Sequence, residues 1–422
     1  MDEYLERDGI ATVENTGRGW QSYSPASHCL EVSMNARSLV LVLLVPALTV
    51  ACGSPGGTTE PEIIVDGSTT TVVNADIPAW RGAGALIEET SIGSDSGDEA
   101  YLLGGITSIA ASDERIYLVD YQAVSVRAYG MDGTHLFDIG SEGQGPGEFR
   151  RPAEIGYTDD GRVLVWDQGQ RRLHVFTPEG ELIEDWRTNR GNRTTITTDG
   201  SAYTLLENIF PDAEGLVTVR AYPHDPNGNQ GEPVEFPDHP PPPLIESGNQ
   251  LELMAVFLGL GADWRSTMWV PFGPRVVAEI TPDGSMISGR ADAYRFQVMR
   301  RDGSTMVVTK DWAPTPVAAA EGDWHRRRLT AQWRAATDES WTWLGGEVPA
   351  EKGAYKHIIP TIDGRFWVIR EMAGSRQDDC DNDPADYYRF DESPCWVQPF
   401  TADVFDEEGR FLGPVPMPDG IR

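Results

Sequence analysis

Few of the residues that could do chemistry are grouped as chemistry requires. The seven histidines (28, 135, 174, 224, 239, 325 and 357) are spread along the chain. None forms the His-x-x-x-His or His-Glu pair that sets two metal ligands on one face of an element. Neither a Gly-x-Ser-x-Gly elbow nor a phosphate loop is present. The densest acidic group is Asp378, Asp379, Asp381, Asp383 and Asp386, around Cys380. Alternating carboxylates suit a hard cation, which makes Asp379, Asp381 and Asp383 candidate Ca²⁺ ligands. The sixth and twelfth positions from Asp379 are Pro384 and Phe390, so this is no EF-hand, and a solvated acidic loop explains it equally. Otherwise no cofactor is expected. A further group stands out by repetition. Asp120 and Asp167 close two similar apolar runs, and Arg127 and Arg172 follow at offsets of 7 and 5. With Trp367 and Arg370 on the corresponding run near the C-terminus, they are candidate ligand contacts. The plainer reading is inter-strand hydrogen bonding repeated by symmetry.

That repetition defines the elements that must position these residues. Asp113–Asp120 and Asp160–Asp167 each read as an acidic turn, an apolar β-rich run and a closing Asp, 47 residues apart. Each is followed by a second strand and a tight turn, ending at Gly133 and Gly180, again 47 apart. The two turns of a unit lie 19 residues apart, 114 to 133 and 161 to 180, and the offset recurs from Gly284 to Gly303. Asp-Gly and Glu-Gly suit hairpin turns because glycine accepts positive φ. A further unit runs from Gly364 to Gly409, its offset of 45 enlarged by residues 372–398, and a weaker one starts at Asp199-Gly200. Four-stranded units recurring at 40–50 residues, each with two apolar faces, must stack around an axis. The fold class expected is an all-β β-propeller with an incomplete last blade, since the chain stops soon after the strand at Val404. Leu86–Ile92 could supply an N-terminal closing strand, and Leu251–Ile280 could hold extra ones.

The chain resembles the NHL-like six-bladed β-propellers, particularly exported bacterial ones, over about residues 81–412. Gly143–Phe149, leading into Arg151-Pro152, looks like their blade-to-blade connection. The propeller is placed at 81–422 with two insertions. In 313–355, Trp324, Leu329, Trp333 and Ala336 have near-helical spacing, which predicts a helix between blades. Its tryptophans, with Trp312, Trp341 and Trp343, either pack it down or form a recognition surface. The second insertion, 372–398, holds Cys380 and Cys395.

Ahead of the propeller, residues 38–48 are strongly apolar but too short to span a bilayer, and they match the apolar core of a secretory signal. Thr49-Val50-Ala51-Cys52 follows and resembles the lipobox of bacterial lipoproteins. The resemblance implies an acyl chain on Cys52 and a lipid bilayer as partner. Gly53 after the cysteine implies an outer-membrane lipoprotein of the cell envelope, facing periplasm or exterior. The leader is therefore read as 1–52, with Met34 as the true start, an extension over 1–33 and a signal over 34–51. A flexible tether is expected over 53–80. In an oxidising compartment, Cys380 and Cys395 should pair, closing a loop worth about 3 kcal/mol.

With 66 acidic against 34 basic residues, the formal net charge is −32. Such a surface repels phosphate backbones, which excludes nucleic acid as a partner. The function expected is a membrane-anchored, non-catalytic binding or scaffold module for a protein, peptide or glycan. The alternative is a metal-dependent hydrolase or lyase with its site at the propeller axis, which converging His and carboxylates there would favour.

Overall fold

A computed structural model describes residues 11–12, 60–80, 82, 84–188, 191, 193–208, 216–246, 267–336, 339–377 and 395–418. They form five blades in a ring, each an antiparallel meander of four strands. Blade 1 is Ile106–Ala111, Arg115–Asp120, Ser125–Gly130 and His135–Ile139. Blade 2 is Pro152–Tyr157, Val163–Asp167, Arg172–Phe176 and Leu182–Arg187. Blade 3 is Arg193–Ile196, Ala202–Asn208, Thr218–His224 and Val234–Glu235. Blade 4 is Val276–Ile280, Met286–Arg290, Arg295–Met299 and Thr305–Lys310. Blade 5 is His357–Pro360, Phe366–Glu371, Phe400–Phe405 and Phe411–Pro416. The first strands of blades 1 and 2, of 2 and 3, and of 4 and 5 lie against each other on the axial side of the ring.

The turn between first and second strands is set by a short local code. Thr158-x-Asp160-Gly161, Thr197-x-Asp199-Gly200, Thr281-x-Asp283-Gly284 and Thr361-x-Asp363-Gly364 share it. Each Thr hydroxyl donates to the Asp carboxylate, and each Gly sits at φ 81–83°, where a Cβ would be strained. Second and third strands are buried on both faces, as Val163–Asp167 is throughout. Neighbouring blades share that apolar surface. Tyr117, Val119 and Val165 join blades 1 and 2, and Trp166 and Ala202 join 2 and 3. Leu205 and Ala278 join 3 and 4, and Phe296, Val368 and Phe405 join 4 and 5.

Three features differ from the sequence reading. The last blade is complete, because Phe411–Pro416 is its fourth strand. Pro414 and Pro416 make that run look unlike a strand, yet the outermost position tolerates them because only one side of it needs a full ladder. Residues 79–84 then cover the edge, Trp80 N–H donating to Leu412 O (2.8 Å) and Gly84 N–H to Pro414 O (3.1 Å). Secondly, the described part of the expected tether contains strands. Glu62–Asp66 and Thr69–Asn74 form a hairpin whose second strand pairs in parallel with Thr305–Lys310, widening blade 4 to six strands.

Thirdly, Leu86–Ile92 is no closing strand. The chain after Gly84 runs from the edge of blade 5 to the face of blade 1, where Ile92, Tyr101 and Leu103 cover Ile116, Leu118 and Tyr129. The stretch 251–280 does hold extra strands, as expected: Thr267–Trp269, which pairs with Leu244–Glu246, and the first strand of blade 4. The helix expected within 313–355 is Ala319–Ala336, between blades 4 and 5.

Candidate functional site

Because each blade is a meander, its loops alternate between the two ends of the ring. Turns from first to second and from third to fourth strands all emerge at one end, and most of these are the short Asp-Gly and Glu-Gly turns. The second-to-third turns and the inter-blade connections emerge at the other. All three long excursions, 236–275, 311–356 and 372–399, therefore fall at that second end.

There they interlock into a cap. Glu321 of the helix accepts from Lys352 Nζ (3.2 Å) and Gln398 Nε2 (3.0 Å), and Lys352 also donates to Met372 O (2.8 Å). Both charged side chains are almost wholly excluded from solvent. The Lys352 ammonium also sits 4.6 Å from the Phe272 ring, which tilts edge-on against His325. Val270 packs with Leu329, Trp333 and Trp341, and Trp324 with Cys395 and Trp396. One buried ion pair thus ties together all three excursions, and the tryptophans of the insertion pack it down. Cys395 is buried and disulfide-bonded. Cys380 and Asp379, Asp381 and Asp383 lie outside the described residues, as does Cys52.

Beneath the cap, the first strands bring polar side chains to the axis. Ser108, Glu154, Arg193 and His357 occupy one tier. They pair with Val119, Trp166, Leu205 and Ile369, each five residues beyond the first turn of its blade. Blade 4 contributes Glu279 two residues further along, since Val277 holds the tier position opposite Gly289. Arg193 ties the ring together. Its guanidinium contacts Glu207 (3.1 Å), Glu279 and the Ala278 carbonyl. Burial pushes the Glu154 carboxyl up to about 7, with Ser108 and Arg193 opposing the shift and Glu279 adding to it. Burial likewise raises Glu279 against the pull of Arg193. His357 falls to about 4, from burial first and then from the charges of Lys356 and Arg275. The axis thus offers a carboxyl half-protonated near neutrality, a fixed guanidinium and a neutral imidazole. Among the described residues, no three His, Cys, Asp or Glu side chains are placed to hold a metal ion together.

The residues picked out from the sequence have mostly structural positions. Asp120 and Asp167 are fully buried. Asp120 accepts from the Gly104, Gln122 and Ala123 amides, and Asp167 from those of Arg150, Arg151 and Gln170. Each Asp staples the incoming connection to the turn of its own blade. Arg127 pairs with Asp120 at 3.4 Å. Arg370 reaches Asp403 (3.3 Å), which also accepts from Tyr294 Oη (2.8 Å) and contacts Lys310 (3.4 Å), a buried polar joint between blades 4 and 5. Trp367 is half-buried near the turn end of its strand, opposite Val404. Arg172 borders a cavity over blade 2. The axial tier went unread because each first strand is short and carries a different polar residue. Aligning the units on their turns would have superposed Ser108, Glu154, Arg193 and His357.

Residues 97–187 match the model of the DUF5128 family, described as a 6-bladed β-propeller. The fold is a β-propeller. Similar solved structures include a DUF4221-family member from Bacteroides vulgatus, 11% identical, covering 76% of this chain and 83% of its own, with a TM-score of 0.41. A protein of unknown function from Bacteroides caccae is 14% identical over 74% and 81% of the two chains, at 0.32. Virginiamycin B lyase from Staphylococcus aureus is 13% identical over 64% and 92%, at 0.30. The residues of this chain itself carry the functional reading.

Proposed function

We propose that the protein is a binding module of the bacterial cell envelope, held in the outer membrane by an acyl chain on Cys52, that takes a polar ligand at the capped end of its axis. One observation carries the reading: every long excursion emerges at one end and is locked there by the Glu321–Lys352 pair, over a tier of polar axial side chains. Building that cap costs chain entropy and ion desolvation, whereas the opposite end has only tight turns. A peptide or glycan suits the tier, which offers donors at Arg193 and acceptors at Glu154 and Glu279. The disulfide-bonded state of Cys395 supports its pairing with Cys380 to brace the cap, and with it an oxidising compartment.

Peptide and glycan arrays test the reading. Arg193→Ala and the milder Glu154→Gln should abolish or shift the signal, and the turn-end control Asp302→Ala should leave it intact. An array signal indifferent to both axial substitutions would remove the axial site. Anchoring is tested separately, by palmitate incorporation and detergent-phase partitioning that Cys52→Ala should eliminate.

The Glu154 carboxyl favours a second reading, an acid–base enzyme such as a hydrolase or lyase. A carboxyl titrating near 7 can both give and take a proton at physiological pH. Turnover that follows a single ionisation near pH 7 and disappears in Glu154→Gln would select this reading over simple binding.

A further inference from the structure

The described surface carries a cavity of about 470 Å³ whose lining is out of keeping with the rest of the molecule. On a chain of net charge −32, it is bordered by Arg150, Arg171, Arg172 and Arg187, with Gln144 and Thr188. It opens at the same end as the cap, over blade 2, where the second-to-third turn and the adjoining connection are short. It is distinct from the axial tier.

The propeller supplies its own internal control. Hydrogen bonding and register pair the four arginines with positions in blade 1. Arg150 N–H donates to Asp167 as Gly104 N–H donates to Asp120. Arg171, Arg172 and Arg187 stand 47 residues beyond Val124, Ser125 and Gly140. The same scaffold in blade 1 therefore places Gly, Val, Ser and Gly there, so the fold does not demand arginine. The backbone of the turn does not explain it either. Arg171 has φ 54° and Val124 has φ 53°, a left-handed conformation that belongs to the turn and is stabilised by Asp120 or Asp167 below it.

Charge accounting points to an anion. Of the four guanidiniums, Arg172 is partly neutralised by Asp185. The nearby Glu148 carboxylate is occupied by the Gln144 and Gly145 amides (2.9 and 2.8 Å). Among the described residues, no carboxylate or apolar side chain borders the cavity, so its described lining suits neither a cation nor an apolar ligand. Guanidinium forks match oxyanions two bonds at a time. The volume falls within the range of small-ligand pockets. We propose that this cavity binds a small ligand carrying two or more oxyanion groups, whether carboxylates, phosphates or sulfates. The net negative charge of the whole chain works against long polyanions and leaves the short-range contacts to select the ligand.

Isothermal titration of the purified protein at about 0.15 M salt, with citrate, inorganic pyrophosphate and a disulfated disaccharide as probes, tests this. At least one should bind with 1:1 stoichiometry, and which one does so assigns the oxyanion. Arg171→Ala/Arg187→Ala should weaken it tenfold or more. Arg171→Lys, which keeps the charge and loses the fork, should weaken it less. Arg326→Ala/Arg327→Ala on the exposed helix face, where both residues pair with Asp323, should bind like the parent. Melting temperatures equal to the parent's would certify the pocket variants as folded. Absence of binding by all three probes, or equal loss in the helix control, would overturn the assignment. So would undiminished binding by the folded pocket variant. None of these outcomes depends on the axial site, because Arg193, Glu154 and Glu279 are not among the residues that line this cavity.

Discussion

Asp120 and Asp167 show how a residue can look functional and be structural. Each ends a buried strand as a carboxylate with zero exposure, and each survives there because backbone amides supply its hydrogen bonds. Removing the acceptor strands those amides and leaves Arg127 with only the Glu99 carbonyl. Asp120→Ala is therefore expected to cost about 3 kcal/mol, read as a lower urea midpoint with an unchanged slope. Asn74 makes the same point at a joint between blades. Its amide donates to Thr309 O (3.1 Å) and Gly409 O (2.9 Å), and its carbonyl accepts from Phe411 N (2.8 Å). A single side chain thus stitches the N-terminal hairpin, blade 4 and blade 5. Asn74→Ala should lower stability by roughly 2–3 kcal/mol, and Asn74→Asp should not rescue it, since the carboxylate cannot donate to the two carbonyls.

Among the elements, the cap is where a buried charge pair decides an arrangement. Glu321 and Lys352 sit on a helix and on a strandless connection that have no regular ladder in common, so their contact fixes how one lies on the other. Breaking the pair from one side leaves an uncompensated buried charge. Lys352→Met or Glu321→Leu alone should cost about 3–5 kcal/mol, and the double variant should recover most of it because an apolar pair of similar volume packs there. Thermal melts of the four proteins in a double-mutant cycle measure this. A loss in the double variant equal to the sum of the two single losses would mean that the charges are not coupled. The outer strand of blade 5 closes its edge in another way: Pro414 and Pro416 remove two donors, and the Ala79, Trp80 and Gly84 amides occupy its carbonyls, which leaves little for another chain to pair with.

Across the whole molecule, the buried titrating groups make stability depend on pH in two opposing ways. Glu154 has a folded-state value raised from 4.5 to about 7, so the folded protein binds the extra proton between those limits. Its contribution is then most favourable below about 4.5 and is lost as pH rises through 7, a penalty of up to roughly 3 kcal/mol at alkaline pH. Glu154→Gln should accordingly stabilise the protein at pH 8.5 and change little at pH 4.5. His325, lowered to about 3 by burial, and His357, lowered to about 4, act in the other sense. The unfolded chain binds their protons first, so stability falls as pH drops below 6.5. Chemical denaturation from pH 4 to 9 should show a maximum between the two limbs. Loss of only the alkaline limb in Glu154→Gln would identify its source.

The residues that shape each pair of turns were readable in the linear chain, and so was the blade architecture that follows from them. The reason is physical: Thr-x-Asp-Gly turns and two-faced apolar strands act locally or through a fixed period, and periods survive in one dimension. The helix in 319–336 was legible for the same reason, through the spacing of Trp324, Leu329 and Trp333. What no local pattern carries is convergence. Ser108, Glu154, Arg193, Glu279 and His357 come from five blades and share an axis only because the ring closes around them. Arg150, Arg171, Arg172 and Arg187 border one cavity only because a connection, a turn and a strand end meet there. Glu321 and Lys352 are 31 residues apart, and each reads alone as an ordinary surface charge until packing removes the water between them.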